Sequence, residues 1–148
     1  MENQNLTITI PAGNDAMKAF DAINNVRGWW TENVEGNTEN LGDEFIVRFG
    51  DVHYSKQKLV EVIPGKKVVW LVTDSRLNFV KQKDEWTDTK VSFDIADRGG
   101  KTEITFTHMG LVPSIECYDG CSGAWQQYIE DSLAKLVIEG KGEPTLAN

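Results

Sequence analysis

The stretch Gly123 to Gly142 reads GAWQQYIEDSLAKLVIEGKG. Trp125, Ile129 and Leu133 recur every fourth residue, with Tyr128, Leu136 and Val137 beside them. Positions four apart share one face of a helix, so the stretch reads as a long amphipathic helix with one apolar stripe. Gly140, Gly142 and Pro144 end it. Pro113 and Ser114 suit its start, and Glu116 favours the positive end of its dipole. Gly120 and Gly123 weaken the first turns, which moves the expected start of ordered helix toward Ser122.

Extended toward the N-terminus, the stripe takes in Cys121 and Cys117, the two cysteines of the chain. A redox role needs a thiolate, and Glu116 and Asp119 oppose one; the spacing is C-x-x-x-C, not the C-x-x-C of redox pairs. A metal role needs further ligands, and His53 and His108 do not flank the cysteines at zinc-finger spacing. Both cysteines therefore read as small apolar residues on the buried stripe.

The rest of the chain supplies strands for that stripe to face. LTITI (Leu6 to Ile10) alternates apolar and polar, as a half-buried strand does. NDAMKAFDAIN predicts a short helix over roughly residues 14–24, capped by Asn14 or Asp15, with Ala16, Met17, Ala19, Phe20 and Ile23 on its apolar side. In the adjacent pair Trp29 and Trp30, one indole is expected inside and the other over an edge.

From Leu41 to Gly110 a series of strands follows. Phe45, Val47 and Phe49 share one phase, as do Val91, Phe93 and Ile95, and Thr102, Ile104, Phe106 and His108. VVWLVT, containing Trp70, is a continuous apolar run suited to a central strand, and LNFV (Leu77 to Val80) falls in a connection. PGKK and DRGGK are turn sequences, so consecutive hairpins of an antiparallel meander are expected. Lys56, Gln57 and Lys58 read as the wet face of a strand. Parity over residues 52–63 stays open, because one bulge would exchange His53 and Tyr54 between inside and outside.

Composition bounds the function. The 148 residues suit one domain, residues 1–148, with 40% hydrophobic and 26% charged residues. A net charge of -8 disfavours nucleic acid and anionic lipid, which need a cationic surface. No apolar run reaches the ~20 residues that span a bilayer. The N-terminus MENQNLTITIP has neither the basic nor the apolar region of a signal peptide, so a cytoplasmic location is expected. No phosphate-binding glycine loop and no G-x-S-x-G elbow is present.

The order of strand, short helix, GWW segment, meander and long final helix resembles the START-like (SRPBCC) superfamily. The segments carrying the likeness are AFDAINNVRGWW, HYSKQKLVEVIPGKKVVW, LNFV, EWTDTKV, GKTEITFTHMGL and ECYDGCSGAWQQYI, continuing into the final helix. The likeness is greatest to bacterial proteins related to the C-terminal domain of the activator of heat-shock-protein-90 ATPase. It implies an α+β helix-grip fold: a curved antiparallel sheet of about six or seven strands around a long C-terminal helix, with short helices after the first strand.

In this superfamily the space between sheet and helix binds apolar ligands in many members, and a few are cyclases or lyases. No universal catalytic residue carries over, and no cofactor or metal is implied. The additional N-terminal domain of the activator has no counterpart in these residues, so direct ATPase stimulation is not expected.

Three functions compete. The leading expectation is a non-enzymatic binding module for a small apolar molecule. Its cavity candidates are Trp30, Phe45, Val47, Phe49, Trp70, Phe79, Val91, Phe93, Ile104, Phe106, His108, Cys121, Trp125 and Ile129. Complete filling of that space by the same side chains is the alternative. The second is a chaperone-linked or other protein-interaction module, with Trp29 or Trp30, Trp86 and Leu77 to Val80 as anchors. The third is an enzyme using His53, Tyr54, His108 or Tyr128 in the cavity. A monomer and a homodimer paired through edge strands both fit the pattern.

Overall fold

The computed structural model describes residues 6–51, 53–78, 81, 84–111 and 118–145. Seven strands form one antiparallel sheet: β1 (Leu6–Pro11), β2 (Val34–Gly36), β3 (Glu44–Phe49), β4 (His53–Ile63), β5 (Lys67–Leu77), β6 (Lys90–Arg98) and β7 (Lys101–Met109). Their order is β1-β7-β6-β5-β4-β3-β2. Helices α1 (Ala16–Asn24) and α2 (Val26–Trp29) lie between β1 and β2 in sequence, so the chain crosses from one sheet edge to the other through them. A long helical run closes the described fold: α3 (Tyr118–Gln126), a π-helical segment (Gln127–Leu133), and α4 (Ala134–Glu139). This is the helix-grip fold. Among the described residues, no helix is long and apolar enough to cross a membrane.

Local sequence explains most of these elements. The Asp15 carboxylate caps α1 by accepting from the Met17 and Lys18 N–H groups. Met17 nevertheless points outward, while Ala19, Phe20 and Ile23 enter the core. Gly99 and Gly100 turn β6 into β7 with φ of 63° and 86°, the left-handed region that glycine enters without steric cost. Gly140 closes α4 in the same region and donates its N–H to the Leu136 carbonyl. The strand β2 carries no alternating signal in sequence. It is three residues long, and Arg27 fastens it by donating to the Val34 and Gly36 carbonyls.

Strand parity is settled by two irregularities. Thr73 is the extra residue where Lys56 pairs with Asp74 but Gln57 with Val72. Val60 is the extra residue where Leu59 pairs with Trp70 but Glu61 with Val69. Both fall beyond His53, which stays on the inner face while Tyr54 faces out. Gln57 is buried between the outward Lys56 and Lys58, so that tripeptide is not wholly a wet face. Strict alternation is the reason: three consecutive strand residues cannot all face water on one side of a sheet.

The adjacent tryptophans also differ from expectation. Trp29 and Trp30 are both buried, at 0% and 2% exposure, and their rings stack with centroids 6.1 Å apart. They sit at the end of a helical turn, where neighbouring side chains diverge by ~100° rather than the half-turn of a strand. Gly28 permits this placement, because a side chain there would strike Asn25 and Leu136 of α4.

The helical stripe holds. Cys121, Trp125, Ile129, Leu133 and Val137 are all buried at spacings of four. In a uniform α-helix four residues overshoot a full turn by ~40°, so five such positions would spiral off the face. The wider i→i+5 turns between Gln127 and Leu133 rotate less per residue and return the stripe to the sheet.

Candidate functional site

The space between sheet and final helix is mostly filled. Phe45 and Val47 of β3, Trp70 of β5, Val91 and Phe93 of β6, Ile104 and Phe106 of β7, and Ile129 are all within 1% of complete burial and belong to the packed core. Phe93 pairs with Phe106 across β6 and β7 and packs edge-on to both Phe106 and Trp70.

A cavity of about 240 Å3 remains at one end of the grip. Trp30, Phe49, His53, Trp86, Gly120, Cys121, Ala124, Trp125 and Tyr128 line it. Gly120 and Ala124 are exposed, so the cavity opens to solvent along α3. Of the cavity candidates read from sequence, Trp30, Phe49, Cys121 and Trp125 lie on its wall, whereas the core residues above and His108 do not. Phe79 and Cys117 lie outside the described residues.

Stacked indoles build the wall. Trp86 stacks on Trp125, with centroids 5.7 Å apart and planes 11° from parallel, and Trp125 lies 4.8 Å from Trp30. Trp86 comes from the β5–β6 connection. Thr89 holds it there by donating its hydroxyl to the Trp86 carbonyl at 2.6 Å. The connection is hooked to β5 by Val72, which donates to the Thr89 carbonyl and accepts from the Asp88 N–H. No periodicity marks a tryptophan in such a connection, although EWTDTKV stood among the segments that carried the family likeness.

The two histidines have different surroundings. His108 is wholly buried behind the wall. Its Nδ1 accepts the Trp125 indole N–H at 3.0 Å, and its Nε2 lies 2.9 Å from Thr89 Oγ1. The Thr89 hydroxyl hydrogen is committed to the Trp86 carbonyl, so the ring proton of His108 sits on Nε2. Burial, with a smaller contribution from His53, pushes its pKa down to about 3. Both nitrogens are engaged, which suits a neutral positioning residue and leaves nothing for a substrate.

His53 lies on the wall itself. Trp86 packs against it at 4.8 Å and Phe49 at 5.1 Å, both edge-on. Its Nε2 is 2.9 Å from Ser55 Oγ, which also receives the Gln57 amide at 2.6 Å. Burial pushes its pKa down to about 4, so it too is neutral near pH 7.

Of the other polar candidates, Tyr128 lines the cavity and hydrogen-bonds Thr145 through its hydroxyl. Tyr54 lies on the opposite face of the sheet, beneath the Arg48 guanidinium. No group of three or more His, Cys, Asp or Glu that could hold a metal occurs among the described residues. Of the protein-binding anchors expected from sequence, Trp29, Trp30, Leu77 and Trp86 are buried, and Asn78 is exposed. Phe79 and Val80 of that set lie outside the described residues.

A comparison with curated proteins finds no match. Solved structures match over nearly the whole chain. The Aha1 dimer from Colwellia psychrerythraea is 23% identical, with 93% of this chain and 98% of that chain covered and a TM-score of 0.75. A Mesorhizobium loti protein is 14% identical over 93% and 98% of the two chains, with a TM-score of 0.71. DynU16, from the dynemicin biosynthetic locus, is 13% identical over 95% of this chain and 49% of its own, with a TM-score of 0.65. The family model for "Activator of Hsp90 ATPase homolog 1-like protein" matches residues 17–137. The chain therefore belongs to the Hsp90 ATPase activator homologue 1-like family, as an Aha1-like domain of the START (SRPBCC) type.

Proposed function

We propose that this protein is a binding module for a small apolar molecule held between the sheet and the C-terminal helix. One observation carries the reading: a cavity of about 240 Å3, walled by Trp30, Phe49, Trp86, Trp125 and Tyr128, in a core otherwise packed solid. Ligand pockets of drug-like size measure ~300–1,000 Å3, and an apolar cavity of ~150 Å3 holds benzene. The volume here suits one aromatic ring with a short substituent and is small for a sterol. The cavity opens beside exposed Gly120 and Ala124, which gives a ligand a way in. A cytoplasmic location and a single folded domain are parts of the same proposal.

The test is a native mass spectrum of the protein as purified, followed by a denaturing one. An excess mass that disappears on denaturation supports the reading and weighs the ligand. A bare chain in the native spectrum, together with no saturable binding of small aromatic hydrocarbons, contradicts it.

The family description favours a second reading, a protein-interaction role linked to a chaperone or to a second copy of the chain. The Colwellia psychrerythraea relative is a dimer. Among the described residues the exposed large apolar side chains are Met17, Leu41, Val60, Ile63 and Ile138; of these Val60 and Ile63 lie toward the β4–β5 turn, which approaches α1 where Gly65 faces the Met17 sulfur. Light scattering on the eluting protein and crosslinked co-purification with the host chaperone test it. A monomer that captures no chaperone counts against it.

A further inference from the structure

The outer face of the sheet carries a row of three polar side chains. Arg48 of β3 pairs with Tyr54 of β4, and Tyr54 pairs with Arg76 of β5. Directly paired strand residues share a face, so the two arginines flank the tyrosine on the side away from the cavity. Neighbouring strands lie ~4.8 Å apart, which puts the two arginine Cα atoms ~10 Å apart, so side chains of that length can reach one group between them. The Arg48 guanidinium lies 5.0 Å from the centre of the Tyr54 ring, a cation–π contact that orients it.

Both arginines lack an opposing charge. Among the described residues neither takes part in an ion pair or a side-chain hydrogen bond, and the Tyr54 hydroxyl makes no hydrogen bond. The neighbouring charges engage one another: Lys56, the next outward residue of β4, holds Glu44 at 3.0 Å and stands opposite Asp74. Arg48, Tyr54 and Arg76 line an open hollow of about 490 Å3, whose other polar lining residues are Asp51, His53 and Asn78. The Asn78 amide is held by the Asp51 carbonyl. Asp51 brings the one carboxylate among these lining residues, against two guanidinium groups. The residues of the flanking connections that lie outside the described ones, Val52, Phe79, Val80, Gln82 and Lys83, include no acid. In a chain of net charge -8, the hollow is a local excess of positive charge.

We propose that this hollow binds a phosphate group. One guanidinium fork satisfies a planar carboxylate through two parallel hydrogen bonds. A phosphate monoester presents three strong acceptor oxygens and close to two negative charges at pH 7, which matches two forks and a hydroxyl. Both arginines are exposed, so the site is open to a ligand and its binding is weakened by salt. It lies on the face of the sheet opposite the cavity, so it stands or falls separately from the apolar-ligand reading.

The experiment is calorimetry at pH 8 with inorganic phosphate as the probe and succinate as a dicarboxylate for comparison. Phosphate is expected to bind the wild type saturably and more tightly than succinate. Arg48→Gln and Arg76→Gln should each weaken phosphate binding about fivefold or more. Lys66→Gln, which removes an exposed charge in the β4–β5 turn, should leave it unchanged. Amide chemical shifts of the wild type on phosphate addition should move most around Arg48, Tyr54 and Arg76. Binding that survives both arginine substitutions, shifts centred elsewhere, tighter binding of succinate, or saturation by neither anion overturns the proposal.

Discussion

Trp125 donates its indole N–H to Nδ1 of His108, tying the long C-terminal helix to β7 from inside the core. The bond requires a neutral imidazole, because a proton on Nδ1 would set two donors against each other. Both histidines are buried and neutral in the fold, with pKa values of about 3 for His108 and about 4 for His53, against an ordinary value near 6.5.

A pH dependence of stability follows. Below pH ~6.5 the unfolded chain binds protons that the folded chain refuses, so stability rises with pH. The contribution is complete above pH ~6.5 and is lost as pH falls toward 4 and then 3. Between pH 7 and pH 5 the loss amounts to roughly 2 kcal/mol per histidine. Urea unfolding at pH 7, 6 and 5 measures it. His53→Phe should flatten the dependence by about half, and a midpoint unchanged between pH 7 and 5 contradicts the assignment.

Ser132 links three parts of the chain. Its hydroxyl donates to the Trp29 carbonyl at 2.6 Å and accepts the Glu143 N–H at 2.7 Å, inside the fold. Ser132→Ala leaves both groups without that partner and should cost ~1–3 kcal/mol in urea unfolding. Gly142→Ala should disrupt the same junction, because its Cβ would lie 2.4 Å from the Gly28 carbonyl oxygen, a backbone atom that cannot swing aside.

The π-helical segment makes a prediction of the opposite kind. Asp131 is exposed within it. Deleting Asp131 brings the later stripe residues one step nearer to Trp125, giving the i, i+4, i+7, i+11 spacing of a regular α-helix. The deletion should therefore fold, with an unfolding free energy lowered by no more than ~2 kcal/mol, and should raise the helical signal in far-ultraviolet dichroism. Loss of folding would show that the wide turns are required for the grip.

Much of this architecture was legible in the sequence because it follows periodicity. Period two placed Phe45, Val47, Phe93, Ile104 and Phe106 inward, and the four-residue recurrence placed Trp125, Ile129 and Leu133 against them. Periodicity reports which face a side chain takes and nothing about depth along that face. It could not separate Phe49, on the cavity wall, from Phe45 four residues earlier in the solid core. Trp86 was hidden for another reason: it enters the wall from a connection shaped by Thr89 and Val72. The histidines needed contacts between distant segments, Trp125 on His108 and the Ser55–Gln57 pair beside His53. The bulges at Thr73 and Val60 carry no sequence mark either.

The space beside Trp30, Trp86 and Trp125 is proposed to receive a ligand. The direct measurement is quenching or shift of tryptophan fluorescence on titration with ethylbenzene, made on the wild type and on Cys121→Phe. Cys121 lines the cavity and is 6% exposed, so a phenyl ring there occupies the space a ligand would take. Saturable binding to the wild type is expected, with at least tenfold weaker binding to a folded Cys121→Phe. Saturation of neither protein, or equal binding by both, would contradict it.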